Sequence, residues 1–520
     1  MNNIPEDILV ENIGLDSLIY LRMIRSIRNI FLFSSIITCG ILLPLHIISD
    51  PQSLTWENYD KEDNHLWAHI ICIWLIVVYI NYILLQQNIE ISKLRILYIE
   101  KHNKNPECHT IYISNIPKNI DIYTECKRIY GNNSIASFVK IRLHSAFVIF
   151  KKRVSHVIAI TSLHHREKLT WITKTAPKSN QIIWSNIDII IWFRILRSII
   201  MWFLYVLIVV FYIVPITGIQ GLQIILEKDS NSYLYNLSID LTISILIHLI
   251  MLILPWVFGL LYRGMGVIST YDVDFGIVNM LFYFQIVTLF LESIITGSIL
   301  ENLKTLFVNP NRLLEILLNG LVSSSYFFIN YICVAGLGGI GIRNLRILSL
   351  IKYIFKKVKS ISLIDDVSEL WYNKNIPLYM IIFLLGLTYS CINPIICPIV
   401  LVYACISIIP EKYNHTYIYN KKHESGGNLW VCIFNQIMVS VYIFELLMLF
   451  EFYSVYSKFV CLLPLPFLSL LYHYVSNRLF NPLLESIPLH EASLLDEKEP
   501  ELTDEDAELI RISYDENHRD

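Results

Sequence analysis

Runs of about twenty apolar residues recur along this chain, and that spacing admits few folds. A helix needs about 20 apolar residues to cross the hydrocarbon core of a bilayer. Only helices or closed barrels satisfy their backbone groups there. About ten such stretches are present: 24–48, 66–90, 192–220, 237–262, 276–300, 312–342, 376–391, 394–410, 430–450 and 459–476. The seventh and eighth are short and meet at Asn393-Pro394. The residue before proline is pushed out of the helical region, so a tight hairpin of two short helices is expected.

Of 520 residues 16% are charged, against about 25% in soluble domains. The fold class is therefore a polytopic α-helical membrane protein. The net charge of −3 gives no global case for nucleic acid. The first run follows Arg22, Arg25 and Arg28. It is too long for a signal-peptide core, and no small-residue cleavage site follows, so it reads as a membrane helix. Ten cysteines lie mostly in apolar spans without a C-x-x-C pair. That argues for buried, reduced thiols rather than zinc or a disulfide framework.

Basic residues mark the cytosolic side. Residues 46–65 carry five acidic side chains and only Lys61, and are placed outside. Residues 91–190 carry 16 Lys and Arg against 6 Asp and Glu, and are placed inside. Alternation then puts both termini in the cytosol. The acidic end, with Asp496-Glu497 and Asp504-Glu505-Asp506, reads as disordered from its composition.

The 91–190 segment is long enough for a small α+β domain. Ile111-Tyr112-Ile113-Ser114-Asn115-Ile116 reads as a strand and turn, and Ala146-Phe147-Val148-Ile149-Phe150 as a buried strand. The pair resembles the central strands of an RNA-recognition motif of ferredoxin-like fold. The RNA-binding version wants a basic residue, glycine and an aromatic before Ala146; here stand Leu143, His144 and Ser145. A base-stacking platform is missing, so no nucleic acid is expected. The ten surplus positive charges suit inner-leaflet phosphates, at about 1 kcal/mol each; a merely solvated face is the alternative.

Several blocks occur in a recognisable order. Gly14-Leu15-Asp16-Ser17-Leu18 precedes the first span, and Leu66-Trp67-Ala68-His69 opens the second. Asn115-Ile116-Pro117 and the Ala146 strand follow, then Ala176-Pro177, Ile183-Trp184-Ser185-Asn186, Ser293-Ile294-Ile295-Thr296-Gly297 and Leu387-Thr388-Tyr389. Over residues 11 to about 480 the chain resembles the OSCA family of hyperosmolality- and stress-gated, calcium-permeable cation channels. The family has an extra span ahead of the first block; here about ten residues precede it.

The resemblance implies a homodimer with one pore per subunit, formed by spans three to seven, in the plasma membrane, with membrane lipids and permeant ions as partners and no cofactor. The chain then divides into a cytosolic N-terminus (1–23), two spans (24–90), the cytosolic domain (91–190), pore helices (191–343), a linker (344–375), spans seven to ten (376–476) and a tail (477–520). By alignment the pore lining is Ile216, Ile219, Gln220, Ile247, Met251, Tyr283, Thr288, Phe327 and Tyr331. Their apolar majority suits a neck that gates by dewetting; a packing or lipid-facing stripe would look the same.

Three features depart from that pattern. Glu292 lies inside the fifth span, where a charge costs at least about 2.5 kcal/mol; a cation site and a hydrogen-bonded or protonated carboxyl are both open. Gly336, Gly338, Gly339 and Gly341 cluster in the sixth span, each weakening a helix by roughly 1 kcal/mol relative to alanine. They read as a gating hinge, with close packing as the alternative. Where the family has an aspartate before that cluster and a glutamate after it, this chain has Ala335 and Arg343. A cationic ring repels cations, whereas an interfacial arginine snorkels to water. His248 and Glu445, isolated in spans four and nine, read as satisfied polar groups.

The sequence contains no nucleophile motif and no phosphate loop, so no enzyme is expected. A tension-gated channel is the leading reading. An anoctamin-like lipid scramblase and a non-conducting tether are the rivals, separated by ion and lipid flux.

Overall fold

The structure, a computed structural model, describes residues 13–49, 66–101, 105–117, 121–131, 133–141, 144–162, 164–166, 170–228, 253–291, 320–322, 324–345, 372–419, 424–453, 456–498 and 501–515, with single positions 10, 242, 246, 251 and 294. Among these, eight helices are long and apolar enough to cross a membrane, and a shorter apolar helix covers Asn375–Thr388. Half of the expected fourth span lies outside the described residues.

Helix α1 (Leu15–Ile37) continues through a π-helical turn (Thr38–Leu42) into α2 (Leu43–Ser49). Helix α3 (Leu66–Lys101) runs 36 residues, about 54 Å at 1.5 Å per residue. It therefore crosses the apolar layer and carries on into the α+β insert.

The insert is a βαββαβ unit: β1 (Thr110–Ser114), α4 (Ile122–Tyr130), β2 (Ile135–Ile141), β3 (Ser145–Phe150), α5 (Arg153–Thr161) and β4 (Ile172–Thr175). Its antiparallel sheet has the order β2-β3-β1-β4, the ferredoxin-like arrangement expected from the sequence. Thr110 pairs with Ile149 and Ile113 with Ala146. Strand alternation splits the side chains between two faces. Ile111, Ile113, Val148 and Phe150 pack with Cys126 of α4 and Ala159 of α5. Tyr112, Phe147 and Ile149 point the other way.

The chain's own acidic end covers that second face, which corrects the expectation of disorder. Helix α16 (Leu489–Lys498) lies against α5, and α17 (Asp504–Tyr514) lies against β2 and β3. The Tyr514 ring sits 4.6 Å from that of Phe147, and its hydroxyl donates to the Pro177 carbonyl at 2.9 Å. Asp496 accepts from the Arg153 and Val154 amides at the start of α5. Charge composition argued for disorder, but Ala507, Ile510 and Tyr514 form one buried stripe, and tertiary packing of such a stripe is what stabilises a short helix.

The remaining helices are α6 (Ile191–Lys228), α7 (Leu254–Gly264), α8 (Thr270–Gln285), α9 (Ser325–Tyr331), α10 (Gly339–Leu345), α11 (Tyr372–Thr388), α12 (Ile396–Tyr417), α13 (Asn428–Phe452), α14 (Tyr456–Leu462) and α15 (Pro464–Glu485). From Ile376 to Leu387 every residue of α11 is buried, so this helix is the centre of the bundle. It is apolar all round, as a helix with neighbours on every side must be. The turn after it, through Asn393-Pro394, is where the hairpin was expected, but its second helix, α12, is 22 residues long and not short. Asn393 Nδ2 donates there to Ser325 Oγ at 3.4 Å.

The opening block has a physical role. Gly14 has φ +84°, and a Cβ there would meet Glu424 Oε1 at 2.6 Å. Glu424 accepts from the Leu15 amide, at the start of α1. Asp16 in turn accepts from the amides of Ser425 and Gly427, just before α13. Each helix start thus presents amides to a carboxylate from the other, which satisfies orphan donors and suits the helix dipole.

Candidate functional site

Two helices change their winding at the level of the predicted pore. Helix α8 ends in a π-helical segment, Ile286–Leu291, and α9 passes into another, Ile332–Gly338, before α10. A π turn holds one residue more than an α turn and is common at functional positions. The second segment coincides with the glycine cluster. Gly336 is buried, and a Cβ there would stand 3.1 Å from Ile382 Cδ1 and from Tyr403 Cδ2. Around Gly339 and Gly341 a Cβ would meet nothing within 4 Å. Gly338 would meet only the Cys333 carbonyl, at 3.9 Å. One glycine therefore seats the helix against α11 and α12; of the other three, Gly338 and Gly341 are exposed and Gly339 is buried without a close neighbour among the described residues.

The predicted lining residues divide. Thr288 is buried in the first π segment and donates to the Phe284 carbonyl at 2.8 Å. Met251 and Tyr331 are buried, Phe327 is half-buried and Tyr283 is exposed. Beside them Phe290, Phe328 and Tyr389 form an aromatic cluster joining spans five, six and seven, with Phe328 and Tyr389 5.1 Å apart. Ile247, Glu292 and His248 lie outside the described residues. So do the side chains of Ile216, Ile219 and Gln220, although their backbone belongs to α6.

Arg343 is 21% exposed and has a carboxylate beside it. It lies at the end of the sixth span, and its Nη2 is 3.6 Å from Glu411 Oε1 on α12. Its Nη1 donates to Asn375 Oδ1 at 3.4 Å, and its guanidinium carbon stands 5.8 Å from the Tyr379 ring centre. Tyr379 also donates to Glu411 at 3.5 Å. The added positive charge thus has a buried carboxylate beside it, from a helix that sequence reasoning had not connected to it. Its signal was Glu411 itself, an acidic residue following the apolar run of α12.

Other intramembrane polar groups are paired across helices. Glu445, expected to be satisfied, is so at one oxygen only: Oε1 accepts from the Ser469 hydroxyl of α15, while Oε2 is buried with no hydrogen-bond partner among the described residues. Trp430 Nε1 donates to Asn88 Oδ1 at 2.6 Å, and Gln436 Nε2 to Asn279 Oδ1 at 2.9 Å. No group of three or more His, Cys, Asp or Glu suited to a metal ion occurs among the described residues.

A bundle centred on a buried helix, two π-wound neighbours and a ferredoxin-like insert between spans two and three define a polytopic helical membrane protein with a small α+β insert. A family described as "Calcium-dependent channel, 7TM region, putative phosphate" matches residues 197–452, and one described as "Late exocytosis, associated with Golgi transport" matches residues 1–87. The chain is similar to "Hyperosmolality-gated Ca2+ permeable channel 1.5" of Arabidopsis thaliana, at 21% identity over 95% of this chain and 80% of the relative. It is also similar to "Hyperosmolality-gated Ca2+ permeable channel 1.8" of the same plant, at 25% over 81% and 56%. "CSC1-like protein ERD4" of Brassica juncea matches at 26% over 65% and 49%. The chain belongs to the OSCA family, a family of channels and not of enzymes.

Proposed function

We propose that this protein is a calcium-permeable cation channel opened by membrane tension, working as a homodimer in the plasma membrane with the insert and both termini in the cytosol. The observation that carries the reading is the π-wound glycine segment of the sixth span, seated on the buried α11. A π turn and an α turn differ by one residue per turn. Converting one to the other rotates everything beyond it, including Arg343, with no hydrogen-bond ladder lost overall. Tension favours the state of larger in-plane area, and the exposed Gly338 and Gly341 leave room for such a change.

Thr288, Met251, Phe327, Tyr331 and Tyr283 would line the path with Ile216, Ile219, Gln220, Ile247 and Glu292. A mostly apolar wall of this kind closes by dewetting. With Glu411 beside Arg343, the local charge sums to about zero and cations need not be excluded. The same pairing leaves Arg343 less charge to offer a lipid phosphate.

Purified protein in liposome patches provides the test, with stretch applied and reversal potentials taken in asymmetric salt. A stretch-evoked current reversing near the cation potential supports the proposal. Gly336→Ala should raise the required tension, because the added methyl must displace Ile382 or Tyr403; Gly341→Ala should change it little. Patches that contain the protein and stay silent under stretch refute the reading.

A further inference from the structure

Between the insert and the membrane helices lies a cavity of about 930 Å³, within the range of sites that hold small ligands. Its walls come from the end of α3, the start of α6, the α7–α8 connection, the loop before α13, the end of α15 and the edge strand β4. Three cations line it, Arg95, Lys174 and Arg194, with two carboxylates, Glu107 and Asp272. Glu107 already has Lys178 at 4.0 Å. Burial also pushes its carboxyl up to about 7, so its negative charge is weak at neutral pH. The balance within the walls is positive.

The start of the fifth span faces this space. Ser269 is the N-cap of the 16-residue α8, yet its side chain makes no capping bond. The residue is 1% exposed and lines the cavity, and its Oγ has no hydrogen-bond partner among the described residues. A buried hydroxyl without a partner costs about 1–3 kcal/mol, and the first amides of a helix are donors still to be satisfied. Gly266, at φ +83°, turns the chain into this start. A helix start beside arginines is a favourable setting for a phosphate oxyanion. On another wall, successive turns of α6 present Arg194, Ser198 and Trp202. Trp202 is 46% exposed, on a span whose outer surface is open and, beyond Arg197, apolar. The cavity thus passes from a polar floor to a greasy flank.

We infer that this cavity binds a phosphate ester. Ser269 and the first amides of α8 would receive the phosphate oxygens, Arg194 and Lys174 would supply charge, and Trp202 would lie beside the apolar remainder of the ligand. The occupant would bridge the insert's sheet edge to spans two, three and five. This holds whatever the pore conducts, because binding can be read without current.

Full-length protein is tested in two arms. One measures saturable binding of soluble inositol hexakisphosphate to the detergent-solubilised chain. The other measures thermal stabilisation in phosphatidylcholine nanodiscs with and without added phosphatidylinositol phosphate. Binding in the lipid arm alone identifies a headgroup site, binding in the soluble arm alone a free phosphate ester, and both support the inference. Arg194→Gln should weaken binding about tenfold, the loss of one charge-assisted bond, and Arg194→Lys should keep most of it. Lys174→Gln, on an exposed strand position, should weaken it without disturbing folding, and Ser269→Ala should weaken it about threefold. Lys140→Gln, exposed on β2 at the opposite edge of the sheet, should change nothing. No saturable binding in either arm overturns the inference. So does an equal loss with Lys140→Gln, which would mean diffuse surface attraction.

Discussion

If Arg343 and Glu411 are one electrostatic unit, removing either should harm the protein more than removing both. At 3.6 Å two unit charges interact by about 4 to 5 kcal/mol at an effective dielectric near 20. The side chains are 21% and 4% exposed, so both have already lost most of their water. Glu411→Gln leaves a largely buried guanidinium facing an amide and the Tyr379 ring; Arg343→Gln leaves a buried carboxylate with the Tyr379 hydroxyl. Breaking such a pair from one side costs about 3–5 kcal/mol, whereas replacing both partners is often close to neutral. A double-mutant cycle on denaturant unfolding of the purified protein should therefore return a large coupling, at least about 3 kcal/mol, the upper end of the range for contacting residues. Reversal potentials give an independent reading. Glu411→Gln should shift selectivity toward anions, and adding Arg343→Gln should restore it. Strict additivity, with a coupling below about 0.5 kcal/mol, would refute the pairing. A shift that the second substitution fails to reverse would refute the charge argument.

Gly14→Ala should destabilise the protein by at least about 1 kcal/mol from its left-handed backbone alone, with more from the 2.6 Å approach to Glu424; thermal unfolding checks this. Tyr514→Ala should strip the cover from Phe147 at a cost near the 3–5 kcal/mol typical of a deleted buried aromatic, seen as faster amide exchange in β2 and β3. His156, buried in α5 beside His109, has its imidazole pulled down to about 3. A depressed pKa means stability that is full above the unfolded value near 6.5 and is lost as pH falls toward 3. From pH 7 to pH 5 the insert should lose about 2 kcal/mol, and His156→Phe should flatten that slope.

The spans were legible because crossing a bilayer demands a length of apolar sequence that little else demands. The turn at Asn393-Pro394 was legible because proline restricts the residue before it. Strands β1 and β3 were legible as apolar runs bounded by turn residues, and Asn115, at φ +57°, closes the first of them. Two kinds of feature escaped. Partnerships across long separations, such as Arg343 with Glu411 or Asp16 with Ser425, leave no local trace, since each residue alone reads as an unexplained charge. The ordered acidic end escaped for a different reason. Composition counts charges, and Lys151 with Asp504 and Lys152 with Glu501 show that those charges meet the basic insert. The edge strands β2 and β4 carry half-exposed side chains and never rise above their polar surroundings.

The reciprocal carboxylates at the starts of α1 and α13 set a timetable for biosynthesis. Asp16 and Ser425 are 409 residues apart. At about 5–20 residues per second of chain growth, α1 is made some 20 to 80 seconds before its capping partner exists. Through that interval its Gly14-Leu15 end, shaped to fit Glu424, must be held by the insertion machinery, by lipid headgroups or by water. A substitution at Glu424 or Asp16 would thus act late, as a failure to lock an already inserted first span rather than a failure to insert it.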